Sequence, residues 1–181
     1  MFKGHRILAV VPARSGSKRL PGKNTLLLAG KPLINWTIEA AESSKYIDKI
    51  IVSTDSDKIR QIALKAGAEV PFLRPARISN DQATSSDVIT HALHFLMEGG
   101  DNFDICLLLQ PTSPLRSSAH IDEAIELYSD LCAKSVISVT NVSHPVEWVN
   151  TLGEAGEMDN FFAEDTILKR SQDYPEQHAL N

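Results

Sequence analysis

The chain has 181 residues, 43% of them hydrophobic and 23% charged, with a formal net charge of −5. That length holds one well-buried domain and is short for two, and the composition is that of an ordinary globular protein. A negative balance argues against a general nucleic-acid binder, which would carry a basic stripe. The charge is unevenly placed, however. The first 38 residues hold seven cations (Lys3, Arg6, Arg14, Lys18, Arg19, Lys23 and Lys31) and no Asp or Glu, so the remainder carries −12. Such segregation points to an anion that this segment meets.

Taken in chain order, the first element is a strand over ILAVV, residues 7–11. The start MFKGHRILAVVPAR has a charge followed by apolar residues, as a signal peptide does, but the apolar part is short and runs straight into Pro12 and Arg14. The longest apolar runs are five residues, far below a membrane span, and the expected location is cytoplasmic, with no membrane partner. A short helix should follow Pro32, because proline suits a first helical turn. KIIVS (49–53) reads as a second strand, and Ile59, Ile62, Ala63 and Ala66 recur at helical spacing after it. Val88, Ile89, Ala92, Leu93 and Leu96 mark another helix, DICLLL (104–109) a third strand, and Ile121, Ala124, Ile125, Tyr128 and Leu131 a further helix. SVISVT (135–140) reads as a fourth strand.

Nearly continuous apolarity in these strands is what parallel strands covered on both faces require. The alternation of strands and helices therefore predicts an α/β fold: an open, mostly parallel sheet with helices on both faces. We read residues 1–181 as one domain. Within it, residues 145–174 have weak periodicity and suggest an irregular arm. Two cysteines make no disulfide framework; Cys106 inside ICLLL and Cys132 on a helix's apolar face read as core fillers.

In an open parallel sheet, ligands bind beyond the carboxyl ends of the strands, and PARSGSKRLPGKN (12–24) occupies that place. Gly16 and Gly22 permit close backbone approach and positive φ, while Pro12 and Pro21 restrict the loop. Exposed N–H groups and several cations make a cradle for phosphates. The spacing is neither GxGxxG nor GxxxxGK[ST], so both common nucleotide fingerprints fail.

VPARSGSKRLPGKN resembles the signature of the sugar-activating cytidylyltransferases, in particular the acylneuraminate (CMP-sialic acid synthetase) branch. The resemblance continues through IIVSTDS (50–56), FLRP (72–75), SNDQATSSDVITHAL (79–93), LLLQPTSPLR (107–116) and SHP (143–145). It implies a Rossmann-like nucleotide-diphospho-sugar transferase fold. The implied reaction moves CMP from CTP to the anomeric hydroxyl of a nine-carbon 2-keto sugar acid and releases pyrophosphate. On that resemblance, Arg14 and Lys23 hold the triphosphate and offset charge on the leaving pyrophosphate. Ser17 and Lys18 assist, Asn24 contacts the nucleotide, Arg74 lies on the base side and Ser85 is a nucleotide contact. Gln110, Thr112 and Ser113 face the acceptor sugar, Arg170 meets the sugar carboxylate, and Asn181 belongs to the sugar side. The chemistry suits these residue types, because phosphoryl transfer is mostly positioning and charge stabilisation.

Simpler readings stand beside several of these. Thr84, Ser85 and Ser86 are all suited to cap the following helix. Arg116 could pair with Asp122 or Glu123. Asp55-Ser56-Asp57 has the form of the metal-binding DxD of glycosyltransferases, yet Ser56 and Asp57 also fit a helix start, and Asp55 could instead line the nucleotide site or order the loop. His91 and His94, three apart on one helix, lack a third metal ligand and read as surface or capping residues.

Family members usually continue after the position matching Asn181 with a Gly-Ala-Ile-Tyr strand and a later segment whose two aspartates hold Mg²⁺. The resemblance therefore implies a C-terminally incomplete chain, of weak or no activity alone, with its metal ligands beyond Asn181. It also implies a homodimer built through the 145–174 arm. Glu147 and Trp148 stand where sialate-type members often place a lysine, so sialic, legionaminic and Kdo-type acids all stay open as acceptors, although Asn24 leans against Kdo. Two further functions fit the same residues: a DxD glycosyltransferase and a non-catalytic nucleotide-binding module.

Overall fold

The structure, a computed structural model, describes residues 1–158, 161 and 170–180. Two compact units are present, Met1–Lys134 and a second from Ser135 onward.

The first unit is built on a parallel three-stranded sheet of order β4-β1-β5, with β1 at Ile7–Pro12, β4 at Lys49–Ser53 and β5 at Ile105–Leu108. Val10 of β1 lies opposite Ile51 of β4 and Leu108 of β5. A fourth, irregular stretch runs parallel to β4 through the bridges Ile51–Glu69 and Thr54–Leu73, so Arg74 leaves at the same edge as the strand ends. Between β1 and β4 lie a tiny hairpin, β2 (Leu27–Leu28) and β3 (Lys31–Pro32), and helix α1 (Leu33–Glu42). Its turn residues, Ala29 and Gly30, both have positive φ (49° and 87°), as a tight two-residue hairpin turn requires. Helices α2 (Asp57–Lys65), α3 (Ser85–Glu98) and α4 (Ser118–Asp130) complete the unit.

The apolar strands serve two cores at once. Ile7, Ala9 and Val11 point to one face, where they meet Ile34 and Ile38 of α1, Ile59 and Ala63 of α2, and Ile121 and Ile125 of α4. Leu8, Val10 and Ile51 point to the other, against Ala92 and Leu96 of α3. The expected helices on both faces are therefore present. Each fully buried Ile or Leu of β1 contributes about 1.5–3 kcal/mol relative to exposure, which is why this strand sits in the middle.

Helix starts follow local chemistry. Ser56 caps α2 by accepting from the Ile59 N–H. Thr84 and Asp87 form a reciprocal capping box on α3, and Ser117 with His120 does the same on α4. Pro32 precedes α1 as expected.

Four expectations are corrected. SVISVT does not add a fourth parallel strand: only Val139–Asn141 is extended, as β6, pairing antiparallel with β7 (His178–Leu180) in the second unit. Ile137, Val139 and Leu180 are exposed there, so the apolar run had no second face to bury. Cys132 lies past the end of α4, exposed and at φ 46°; only Cys106 packs in the core, where burial pushes its thiol up to about 11. Arg116 donates to the Gln110 carbonyl at 3.3 Å, while Asp122 accepts from Ser44 Oγ at 2.6 Å and from the Lys45 N–H. Finally, only Gly22 of the two loop glycines adopts positive φ (64°).

In the second unit, Gln177 ties the β6–β7 pair to the turn after it, accepting from the Val146 N–H at 2.9 Å and donating to Glu147. Trp148 and Tyr174 meet edge to face at 6.4 Å.

Candidate nucleotide-binding site

Strand β1 delivers its loop to the sheet's carboxyl edge, and the Ala13 N–H continues the ladder to the Ser53 carbonyl at 2.9 Å. Two turns then fold the loop back: Lys23 N–H bonds the Leu20 carbonyl, and Thr25 N–H bonds that of Gly22. Asn24 closes the arch. Its Nδ2 donates to the Arg14 carbonyl at 3.0 Å, and the residue is only 3% exposed. Asn24, expected as a nucleotide contact, is thus a buried clasp on the loop whose Oδ1 is left without a hydrogen-bond partner.

Carboxylates on two other segments pin the same arch. Asp55, at the end of β4, accepts from the Ser15 N–H at 2.7 Å and from Ser15 Oγ at 2.8 Å. Of the readings open for Asp55, the loop-ordering one is what the geometry shows. Asp81 bridges two cations, with Arg14 Nη2 and Lys18 Nζ each 2.8 Å from one of its oxygens. The Lys18 ammonium first, and Arg14 with it, hold the Asp81 carboxyl below its ordinary range. Ser17 is half-buried and Lys23 likewise, and no ion pair engages Lys23 or Arg19 among the described residues.

Arg74 is the most unusual charge here. It is 5% exposed, its Nε donates to Ser79 Oγ at 3.3 Å, and its Nη2 has no partner. Burial pushes its guanidinium pKa down; nearby Asp55 counteracts this, and Arg14 adds to it. A desolvated cation without an ion pair is costly unless something meets it. Ser85 is the first residue of α3 and exposed, because Thr84 takes the capping role. Its hydroxyl is thus left available to a ligand.

The loop after β5 begins where Leu109 N–H bonds the Val10 carbonyl. Gln110 and Thr112 are exposed and Ser113 half-buried, with Thr112 Oγ1 3.5 Å from Gln110 Oε1 and the Ser113 N–H on the Gln110 carbonyl. The structure gathers Arg14, Lys18, Asp55, Arg74 and Asp81 around the β1 loop and leaves Gln110, Thr112 and Ser113 on the neighbouring strand's exit. Arg170 belongs to the second unit, where it pairs with Asp173 at 3.2 Å. His144 is exposed in that unit too. Asn181 lies outside the described residues.

No cluster of three His, Cys, Asp or Glu side chains capable of holding a metal occurs among the described residues. Asp55 is committed to Ser15, and Asp57 faces Arg60 at 3.8 Å, so the DSD triplet does not fit a Mg²⁺ site. His91 packs its ring edge-on against Phe72 at 4.6 Å, and burial followed by Arg77 and Arg74 lowers its pKa. With His94 it lines a groove of about 450 Å³ along α3. Asp81 is the residue that sequence reasoning missed; its signal was being the single acid between Glu69 and Asp87.

The profile of the cytidylyltransferase family matches residues 8–177. The chain belongs to this family. It is 47% identical over 156 residues to a CMP-N,N'-diacetyllegionaminic acid synthase of Legionella pneumophila, an alignment covering 84% of this chain and 66% of that protein. It is 42% identical over 157 residues to an N-acylneuraminate cytidylyltransferase of Escherichia coli, covering 86% of this chain and 36% of that one. The chain thus spans less than two thirds of the length of these relatives. Among solved structures, CMP:2-keto-3-deoxy-manno-octonic acid synthetase complexed with CTP superposes with a TM-score of 0.61 at 26% identity, over 76% of this chain and 54% of that one. The likeness confirms the parallel α/β architecture. No helix among the described residues is long and apolar enough to cross a membrane.

Proposed function

We propose that this cytidylyltransferase-family chain binds CTP through the β1 loop and serves transfer of CMP to the anomeric hydroxyl of a nine-carbon 2-keto sugar acid. The observation that carries the reading is the cation cluster at the sheet's carboxyl edge: Arg14 and Lys18 held together on one loop, with the buried, unpaired Arg74 behind them. In the step proposed, the anomeric oxygen bonds to the α-phosphorus, the bond from that phosphorus to the bridging oxygen breaks, and pyrophosphate leaves with the electron pair. The hydroxyl proton passes to solvent. Arg14 and Lys23 supply positive charge to the phosphate chain where negative charge accumulates. Arg74 and Ser85 stand on the base and ribose side, and Gln110, Thr112 and Ser113 offer uncharged donors and acceptors to sugar hydroxyls and an acylamino group.

The names of the relatives favour sialic- and legionaminic-type acids as acceptors. Mg²⁺ dependence, a homodimer through residues 145–174 and a cytoplasmic location, where CTP is made, complete the reading. Among the described residues, no group of three His, Cys, Asp or Glu side chains offers Mg²⁺ a ligand set.

The test is calorimetric titration of the chain with CTP, followed by pyrophosphate release with N-acetylneuraminate, a legionaminic acid and Kdo as acceptors. CTP binding with turnover on either nine-carbon acid supports the proposal. Absence of CTP binding would overturn it, and turnover on Kdo alone would reassign the substrate.

A further inference from the structure

The reaction proposed above has no evident use for a carboxylate between the phosphate-binding cations, yet the structure puts one there. Asp81 spans Arg14 and Lys18 with one oxygen each, at 2.8 Å, which is how two oxygens of a phosphate would engage the same pair. Its position is not accidental slack in a mobile loop. Asn80 Oδ1 accepts from the Gln82 and Ala83 N–H groups at 2.9 and 3.0 Å, and Ser79 Oγ donates to the Pro75 carbonyl at 2.9 Å. The turn is thereby fixed on both sides of the carboxylate.

Without Asp81, Arg14, Lys18 and Arg74 would repel one another in the unliganded loop; Arg14 already depresses the Arg74 guanidinium. With it, the loop is held in a charge-balanced form. The bond is also easily given up, since the Asp81 and Lys18 side chains are 44% and 80% exposed and exposed ion pairs are weak. A triphosphate brings several negative charges and cannot share Arg14 and Lys18 with a carboxylate without repulsion.

We propose that Asp81 is an internal counter-ion that holds Arg14 and Lys18 in the empty loop, yields them to the polyphosphate of the nucleotide, and reclaims them as pyrophosphate departs. It is a positioning residue acting through the two cations, and it makes the site discriminate by ligand charge. The inference rests on the β1 loop being the phosphate site.

The experiment titrates the chain and its Asp81→Asn and Asp81→Glu variants with CTP, CMP and inorganic pyrophosphate. Ionic strength is fixed, and EDTA is present so that no divalent cation bridges the groups. Removing the competing charge should tighten CTP and pyrophosphate about tenfold, as expected for loss of one like charge at partial exposure. CMP should change less, and the charge-preserving Glu variant should stay near the parent. A merely structural role predicts uniform weakening of all three ligands in the Asn variant; that result, or unchanged affinities, would overturn the proposal.

A second measurement needs no variant. The ¹³C shift of the Asp81 carboxyl carbon should move on pyrophosphate addition while that of Asp55 stays put, and an unmoved Asp81 signal would also overturn the idea. The two readings can fail separately. Pyrophosphate binding that tightens in Asp81→Asn without any CTP binding would sink the nucleotide assignment and keep the counter-ion. CTP binding that is indifferent to Asp81 would do the reverse, and no binding of either ligand would remove both.

Discussion

Two loops leave neighbouring strands at the same edge of the sheet and solve opposite problems. The loop after β1 carries four cations from Arg14 to Lys23 and is tied down from outside by Asp55 and Asp81, and from within by the buried Asn24. The loop after β5 presents the uncharged Gln110, Thr112 and Ser113, and its single cation, Arg116, turns back onto the Gln110 carbonyl. Clustered charge has to be balanced by groups from other segments, whereas hydroxyls and amides can wait in water. On the proposed function, the first loop serves as a preorganised polyanion grip and the second as an open polar face for the sugar.

Arg14→Ala and Lys23→Ala should show the contrast most strongly. Each should slow pyrophosphate release by about a hundredfold or more, while the thermal midpoint changes little because neither side chain belongs to the apolar core. The matching change in the other loop, Gln110→Ala, should leave CTP affinity intact and raise only the KM for the sugar acid. A large CTP effect from Gln110→Ala would break the division of labour.

Asp55→Asn should have the next largest effect. It weakens both bonds to Ser15, and we expect about a tenfold loss of CTP affinity by calorimetry, the low end of the about 1.5–3 kcal/mol of a hydrogen bond to a charged group, because both bonds are exposed. Asn24→Ala acts on the fold as well as the site. Losing the clasp on the Arg14 carbonyl should cost about 1–3 kcal/mol in a denaturant titration, with CTP binding reduced in parallel.

The smallest effect is that of pH. The Asp81 carboxyl is held below its ordinary value of 3.8, so the clasp's contribution is complete above that value and is lost as pH falls through the lowered one. Across the neutral range the loop should be insensitive to pH by NMR. In acid, the Arg14 and Lys18 side-chain signals should shift together, and those of the β5 loop should not follow.

Much of this was legible in the residues. Strands β1, β4 and β5 and helices α2, α3 and α4 announced themselves because burial on both faces imposes long apolar runs and helical periodicity. The β2–β3 hairpin did not, since two-residue strands carry no period. The SVISVT run misled because β-propensity without a covering layer gives only a short exposed pair. The cations of the grip were readable from their isolation along the chain. Their partners were not: Asp81 is 67 residues from Arg14, and only folding the Glu69–Arg74 stretch beside β4 brings its turn to the β1 loop. Likewise, the clasp that Asn24 makes on the Arg14 carbonyl depends on its burial, which no local pattern announces.

The most direct test is a crystal structure of the chain grown with CTP. The triphosphate should lie within hydrogen-bonding distance of Arg14 and Lys23, with the cytosine toward Arg74. A nucleotide bound elsewhere, or none with the Arg14–Asp81–Lys18 bridge intact at saturating CTP, would contradict the account.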